Sequence, residues 1–264
     1  MSHSIRTRLF LILFFLGEMG TLSILLLDLS AIAALIPNTT TEIPTITPAL
    51  KILSLVQPTL FLTVAVLIGI ALAPRVGLSA PAAEALAAGD SPFTALKPQL
   101  IPGVVGGIVG GVCVVLISLI SRPFLLPATI DRISRFTALL PLPTRLLYGG
   151  ITEELLLRWG FMTLIVWAAW RVQQKGQNVP GKPYFVGGIL FSSLVFGAGH
   201  LPVGYLLLPD AFSLALVLFI IFANSVFGIV AGYLYWTRGL ESAMIAHIVC
   251  HLVLALASSA GAYF

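Results

Sequence analysis

Charge is scarce in this sequence. Of its 264 residues only 9% are Asp, Glu, Lys or Arg, where a soluble globular chain carries about 25%. So few charges cannot cover a water-soluble fold, and the 58% of residues that are hydrophobic require lipid as their solvent. Cysteine is nearly absent: Cys113 and Cys250 are the only two, both inside apolar runs. That excludes a disulfide framework and a CxxC zinc site, and leaves two buried free thiols. No basic stretch is interleaved with aromatics, so the net charge of +4 does not point to nucleic acid. The Lys and Arg lie mostly between apolar segments, where they meet lipid headgroups and set topology. No internal repeat is visible, which argues against the commonest transporter folds. The ten-residue alternating segments of a membrane barrel are also missing.

What is present is a series of long apolar runs. A transmembrane helix needs ~20 mostly apolar residues, and seven segments qualify: Leu9–Ile36, Ala49–Ala73, Pro98–Ile120, Pro143–Trp170, Tyr184–His200, Ala211–Trp236 and Leu240–Tyr263. In lipid each must satisfy its own backbone, so each reads as a helix. The expected fold is an all-α polytopic membrane bundle of seven or eight helices, with residues 1–264 as one integral membrane domain. Arg6, Arg8 and the following apolar run imitate a signal peptide, but the run far exceeds the ~7–15 residues of a signal's apolar core and reads as a retained span. Pro37, Pro44 and Pro48 bracket the first loop, Pro74 ends the second span, and Pro180, Gly181 and Pro183 form a hinge before the fifth. Gly103, Gly106, Gly107, Gly110 and Gly111 make a small-residue stripe suited to close helix packing. The stretch Arg122 to Arg145 reads either as an interfacial helix or as a further half-span.

With seven spans, Arg6, Arg8, Arg75, Lys97, Arg171, Lys175, Lys182 and Arg238 fall on one side of the membrane. Lys51, Arg122, Arg132, Arg135 and Arg145 fall on the other. The more basic side, with the N-terminus, is expected to be cytoplasmic.

Some ionisable groups do not leave the membrane. Placing one at mid-bilayer costs at least ~2.5–3.5 kcal/mol, so such groups persist where they are paired, hydrated or used. The fourth span reads Thr152-Glu153-Glu154-Leu155-Leu156-Leu157-Arg158. Glu154 and Arg158 stand at i, i+4, share a helix face and can pair. Glu153 points about 100° away and lacks that partner. Three of the four histidines, His200, His247 and His251, also fall in spans. His247 and His251 share a face, and the Phe196 ring is expected beneath His200, with Pro202 ending that helix. A glutamate among histidines can act as general base on water while the imidazoles stabilise an oxyanion. The same groups can ligate zinc, through Glu153, His200 and His247. The His247–His251 pair has the zincin spacing without the intervening Glu, which favours a site that needs no cofactor. Glu18, Asp28, Asn224 and Ser118 read as interhelical hydrogen-bonding groups, and Asp210 as a loop residue.

Glu153-Glu154-x-x-x-Arg158, Phe196-x-x-x-His200 and His247-x-x-x-His251, in this order, resemble the three motif blocks of the CAAX prenyl endopeptidase and bacteriocin-processing (Abi) family. The resemblance covers a core of about residues 146–254. It implies an intramembrane endopeptidase in which Glu153 and His200 activate a water, His247 and His251 stabilise the oxyanion, and Glu154 and Arg158 support the site. Two positions depart from the pattern. His251 stands where the family often has Asn, and Trp159 intervenes between Arg158 and Gly160.

The expected substrate is therefore a membrane-embedded peptide or lipidated protein, prenylated CAAX-type substrates included. The rival readings are a proton- or ion-coupled transporter using the same groups as a relay, and a non-catalytic immunity or binding member of the family. One geometric difficulty stands. His200 lies at the far end of its span and His247 near the start of a span entering from the same side, so straight helices would leave them at different depths.

Overall fold

The computed structural model describes residues 2–36 and 47–263; Pro37 and Pro44, read above as brackets of the first loop, lie outside them. Among the described residues every regular element is a helix. Seven helical stretches are long and apolar enough to cross a bilayer: His3–Leu26, Pro48–Val76, Pro92–Phe124, Leu142–Gln173, Lys182–Leu207, Leu214–Arg238 and Leu240–Ser259. The protein is an all-α, multi-pass membrane bundle.

Several boundaries differ from the sequence reading. The first span starts earlier and stops at Leu26, because Asp28 caps a separate short helix, Leu29–Ala33, by accepting from the backbone N–H groups of Ser30 and Ala31. Asp28 is thus a cap outside the span. Pro74 is carried inside the second span, which ends instead where Gly77 turns left-handed at φ 75°. The third helix begins at Pro92 and carries Pro98 and Pro102 within its body. The helix that carries His200 ends at Gly199, next to Pro202 as expected. The chain breaks at His200 and resumes as the helix Leu201–Leu207, with Pro202 in its first turn, where a missing N–H costs nothing. The sixth span starts at Leu214, after a short turn at Pro209–Ala211 that holds Asp210.

The stretch Arg122 to Arg145 does not add an eighth crossing. Its helix, Pro127–Leu139, has 13 residues, about 20 Å at 1.5 Å per residue, against a hydrocarbon core of about 30 Å. Ile130, Ile133 and Phe136 pack onto the buried cluster of Leu207, Leu208 and Leu216. Asp131 and Arg135 pair at 2.8 Å on its exposed side.

The glycine stripe sets how closely the motif helices approach. A side chain at Gly103, Gly107 or Gly111 would strike Ile245, Val249 or Val253 of the seventh span, whereas Gly106 and Gly110 admit Leu234 and Phe227 of the sixth. The fourth span is clasped from behind. Thr144 and Thr152 donate to Ser23 O (2.8 Å) and Gly17 O (2.7 Å) of the first span's chain, and the Trp159 indole donates to Val66 O at 3.3 Å. Its other face is left for spans five to seven.

His200 and His247 both meet the Phe196 ring, so they lie at similar depth, and the two helix starts contribute to this. The fifth helix begins at exposed Lys182 and Pro183. The seventh begins recessed: Leu240 is fully buried and donates its N–H to Ser79 O at 3.1 Å. Glu241 accepts from Ala83 N at 2.9 Å and Gln99 Oε1 accepts from Ser242 N at 3.0 Å. Gly239, at φ 115°, makes the turn into this start with its Cα against Pro81 and Gln99, where any side chain would collide. His247, seven residues on, is thereby carried inward towards the level of His200.

Candidate active site

The fourth span does not wind as a regular α-helix. Arg145–Thr152 and Leu155–Met162 are π-helical, with Glu153 and Glu154 at the junction. Glu153 N–H bonds Tyr148 O, and Thr163 N–H bonds Arg158 O, each five residues back. Such wide turns are rare and concentrate at functional sites. Gly149 and Gly150 open the same face: a Cβ at Gly149 would strike the His251 ring, and one at Gly150 would strike Ile248.

Glu154 is fully buried and shared between two partners. Its Oε2 lies 3.2 Å from Arg158 Nε, and its Oε1 accepts from His247 Nδ1 at 2.7 Å. Arg158, also fully buried, donates to Gly228 O at 3.1 Å and lies over the Phe196 ring, 5.1 Å from its centre. Glu153 is 20% exposed, and its Oε2 faces His247 Nε2 at 3.9 Å. The sequence had left Glu153 without a partner and given Glu154 to Arg158 alone; the structure puts one histidine between the two carboxylates.

Phe196 ties the histidines together. Its ring meets His200 edge-on at 4.9 Å, as the i, i+4 spacing suggested, and meets His247 edge-on at 5.8 Å, which no spacing could show. His200 Nδ1 lies 2.8 Å from Phe196 O. A carbonyl only accepts, so Nδ1 carries the hydrogen and Nε2 of the neutral ring keeps its lone pair. By the same logic His247 donates through Nδ1 to Glu154. His251 stacks on His247 with ring centres 4.9 Å apart and planes 13° apart.

Glu153, His200, His247 and His251 line one cavity of about 530 Å³, and Glu154 and Arg158 stand behind its wall. Arg145, Tyr148 and Asn224 line it too. Asn224 was expected to bond between helices; its amide instead donates to Ile220 O of its own helix at 2.8 Å. Ser118 likewise bonds Val114 O of its own helix at 3.0 Å, while Glu18 does bridge helices, accepting from Thr59 at 3.2 Å. The cavity sits at the end of the bundle away from the N-terminus. Leu27 just past the first span, Leu140 just before the fourth, Leu208 after the fifth and Tyr263 after the seventh all border it. Sequence reasoning passed over Arg145 and Tyr148. The signal for Tyr148 was its place beside Gly149-Gly150, directly upstream of the glutamate pair.

Among the described residues no group of three or more His, Cys, Asp or Glu side chains is arranged to hold a metal ion. The His247 Nδ1–Glu154 bond leaves Nε2 of that ring facing Glu153.

Every one of these cavity-wall and supporting side chains from Arg145 to His251 falls within residues 135–253, which match the family model described as Type II CAAX prenyl endopeptidase Rce1-like. That segment is similar to the CAAX prenyl endopeptidase family. Comparison with curated proteins and with solved structures gave no match. The match supports a CAAX-type intramembrane endopeptidase in general terms, in keeping with the seven apolar helices of the described residues around a polar cavity.

Proposed function

We propose that the protein hydrolyses a peptide bond of a membrane-embedded or lipidated substrate, prenylated CAAX-type peptides included, by glutamate and histidine activation of water. The observation that carries this reading is the division of labour between the two glutamates. Glu154 is sealed between Arg158 and His247, while Glu153 borders the cavity with an oxygen free for water. A water held by the lone pair of His200 Nε2 and by Glu153 attacks the carbonyl carbon. The new C–O bond forms as the carbonyl π pair moves onto oxygen, and the water proton passes to Glu153. His247 and His251 border the developing oxyanion. When the tetrahedral intermediate collapses, the C–N bond breaks and the proton held at Glu153 goes to the leaving amine.

On this reading the reaction needs no cofactor. The alternative is zinc held by Glu153, His200 and His247; the His247–Glu154 bond is compatible with it, because a ligating histidine usually donates its other ring N–H to a carboxylate. The test is cleavage of a farnesylated CAAX peptide by purified protein in detergent. Wild type is expected to cleave it and Glu153→Gln not to. An inactive wild type, or an active Glu153→Gln variant, would overturn the proposal.

The N-terminal side carries eight Lys and Arg against five on the other, by the residues named above, so the N-terminus is assigned to the cytoplasm. The cavity then opens towards the non-cytoplasmic side, and the scissile bond approaches from there.

A further inference from the structure

The hydrogen-bond donors facing the reaction are fewer than the residue types suggest. His247 spends its Nδ1–H on Glu154, so it donates to an oxyanion through Nε2 only when its ring is protonated, which leaves His251, whose Nδ1 has no hydrogen-bond partner among the described residues. His200 spends its Nδ1–H on Phe196 O. An acyl-transfer site needs donors placed where negative charge develops. This inference rests on the protease reading above.

We propose that the Tyr148 hydroxyl is a catalytic oxyanion donor in this site. Tyr148 borders the cavity with Glu153 and His251. The wide winding of the fourth span stacks it over Glu153: the Glu153 N–H bonds Tyr148 O, five residues back, so the two residues share the cavity face one turn apart. In a regular α-helix the two would be rotated well away from each other. Among the described residues the Tyr148 hydroxyl has no hydrogen-bond partner, and it is not sealed from the cavity. A phenol in that position, one turn from the carboxylate that activates water, donates to the oxygen of the tetrahedral intermediate. No bond to tyrosine forms or breaks; the hydroxyl keeps its proton throughout.

The test compares wild type, Tyr148→Phe and Glu153→Gln on a farnesylated CAAX peptide, using the full chain in detergent. Tyr148→Phe keeps the ring and removes only the donor. Its kcat is expected to fall about 100-fold or more, the usual effect of deleting one oxyanion donor, with KM within about twofold, since the bond forms only at the transition state. A peptide phosphonate, whose anionic tetrahedral oxygens stand in for the intermediate, should lose affinity for Tyr148→Phe while the uncleaved substrate peptide binds Glu153→Gln as before. The inference is overturned if Tyr148→Phe turns over at the wild-type rate, or if its loss lies in KM with phosphonate affinity unchanged. An active wild type silenced by Glu153→Gln but indifferent to Tyr148→Phe sinks this inference alone. An inactive wild type sinks the protease reading and this inference together.

Discussion

His247 Nδ1 lies 2.7 Å from Glu154 Oε1, and both side chains are buried. The bond links the seventh span to the fourth across 93 positions of sequence. It gives Glu154 two tasks: it neutralises Arg158, and it fixes which nitrogen of His247 faces the cavity. The arrangement parallels the carboxylate that orients the histidine in a hydrolytic triad.

The two glutamates should therefore fail differently. Glu153→Gln should abolish turnover and leave the melting temperature in detergent nearly unchanged, because Glu153 is partly exposed and holds no short hydrogen bond. Glu154→Gln should lose both activity and stability. Removing one partner of a buried pair costs about 3–5 kcal/mol, and the His247 ring loses its anionic acceptor as well. Turnover per folded molecule and thermal unfolding, measured on both variants, separate the roles. A stable, active Glu154→Gln would contradict them.

Gly149→Ala tests how close the fourth and seventh spans must be. Its methyl group would collide with the His251 ring, which must tilt or move away from His247. Activity should drop at least tenfold while the protein still inserts and folds, since the collision is with a side chain. Wild-type activity would show that the stacked His247–His251 geometry is not needed.

Activity should survive removal of divalent metal. Purified protein treated with a chelator is expected to cleave as before, and metal analysis to find far less than one zinc per chain. Activity lost to the chelator and restored by zinc would move Glu153, His200 and His247 into the role of ligands.

The side on which the cavity opens can be read without a substrate. In a background with both native cysteines replaced, Asp131→Cys lies on the exposed face of the Pro127–Leu139 helix, near the cavity end, and Lys175→Cys lies in the loop at the opposite end. A membrane-impermeant thiol reagent applied to intact cells should label the first and reach the second only after permeabilisation. The reverse pattern would place the site on the cytoplasmic side.

Much of this was legible in the chain itself. Hydropathy and length gave seven spans, because the cost of exposing apolar surface or unpaired backbone is paid residue by residue along each segment. The i, i+4 spacing gave the Glu154–Arg158 pair and the Phe196–His200 contact, since both are set by the turn of a single helix. The three motif blocks pointed to the family that residues 135–253 resemble. Where the reading slipped, at Asp28 and Pro74, a local signal was outweighed: Asp28 caps a separate short helix, and the second span runs past Pro74 to its left-handed cap at Gly77.

Only the tertiary structure decided which groups meet. The second partner of Glu154, the link from Phe196 to His247 and the shared depth of His200 and His247 all depend on how far one helix is recessed against another. That depth is set by Gly239, Gln99 and Glu241 at the far end of the seventh span and by the glycine stripe of the third. The alignment of Tyr148 with Glu153 depends on wide helical turns, and no residue spacing in the sequence announces them. Periodicity is a property of one helix, whereas this site is made where several helices touch, and the distances between helices are fixed by the sum of their packed side chains.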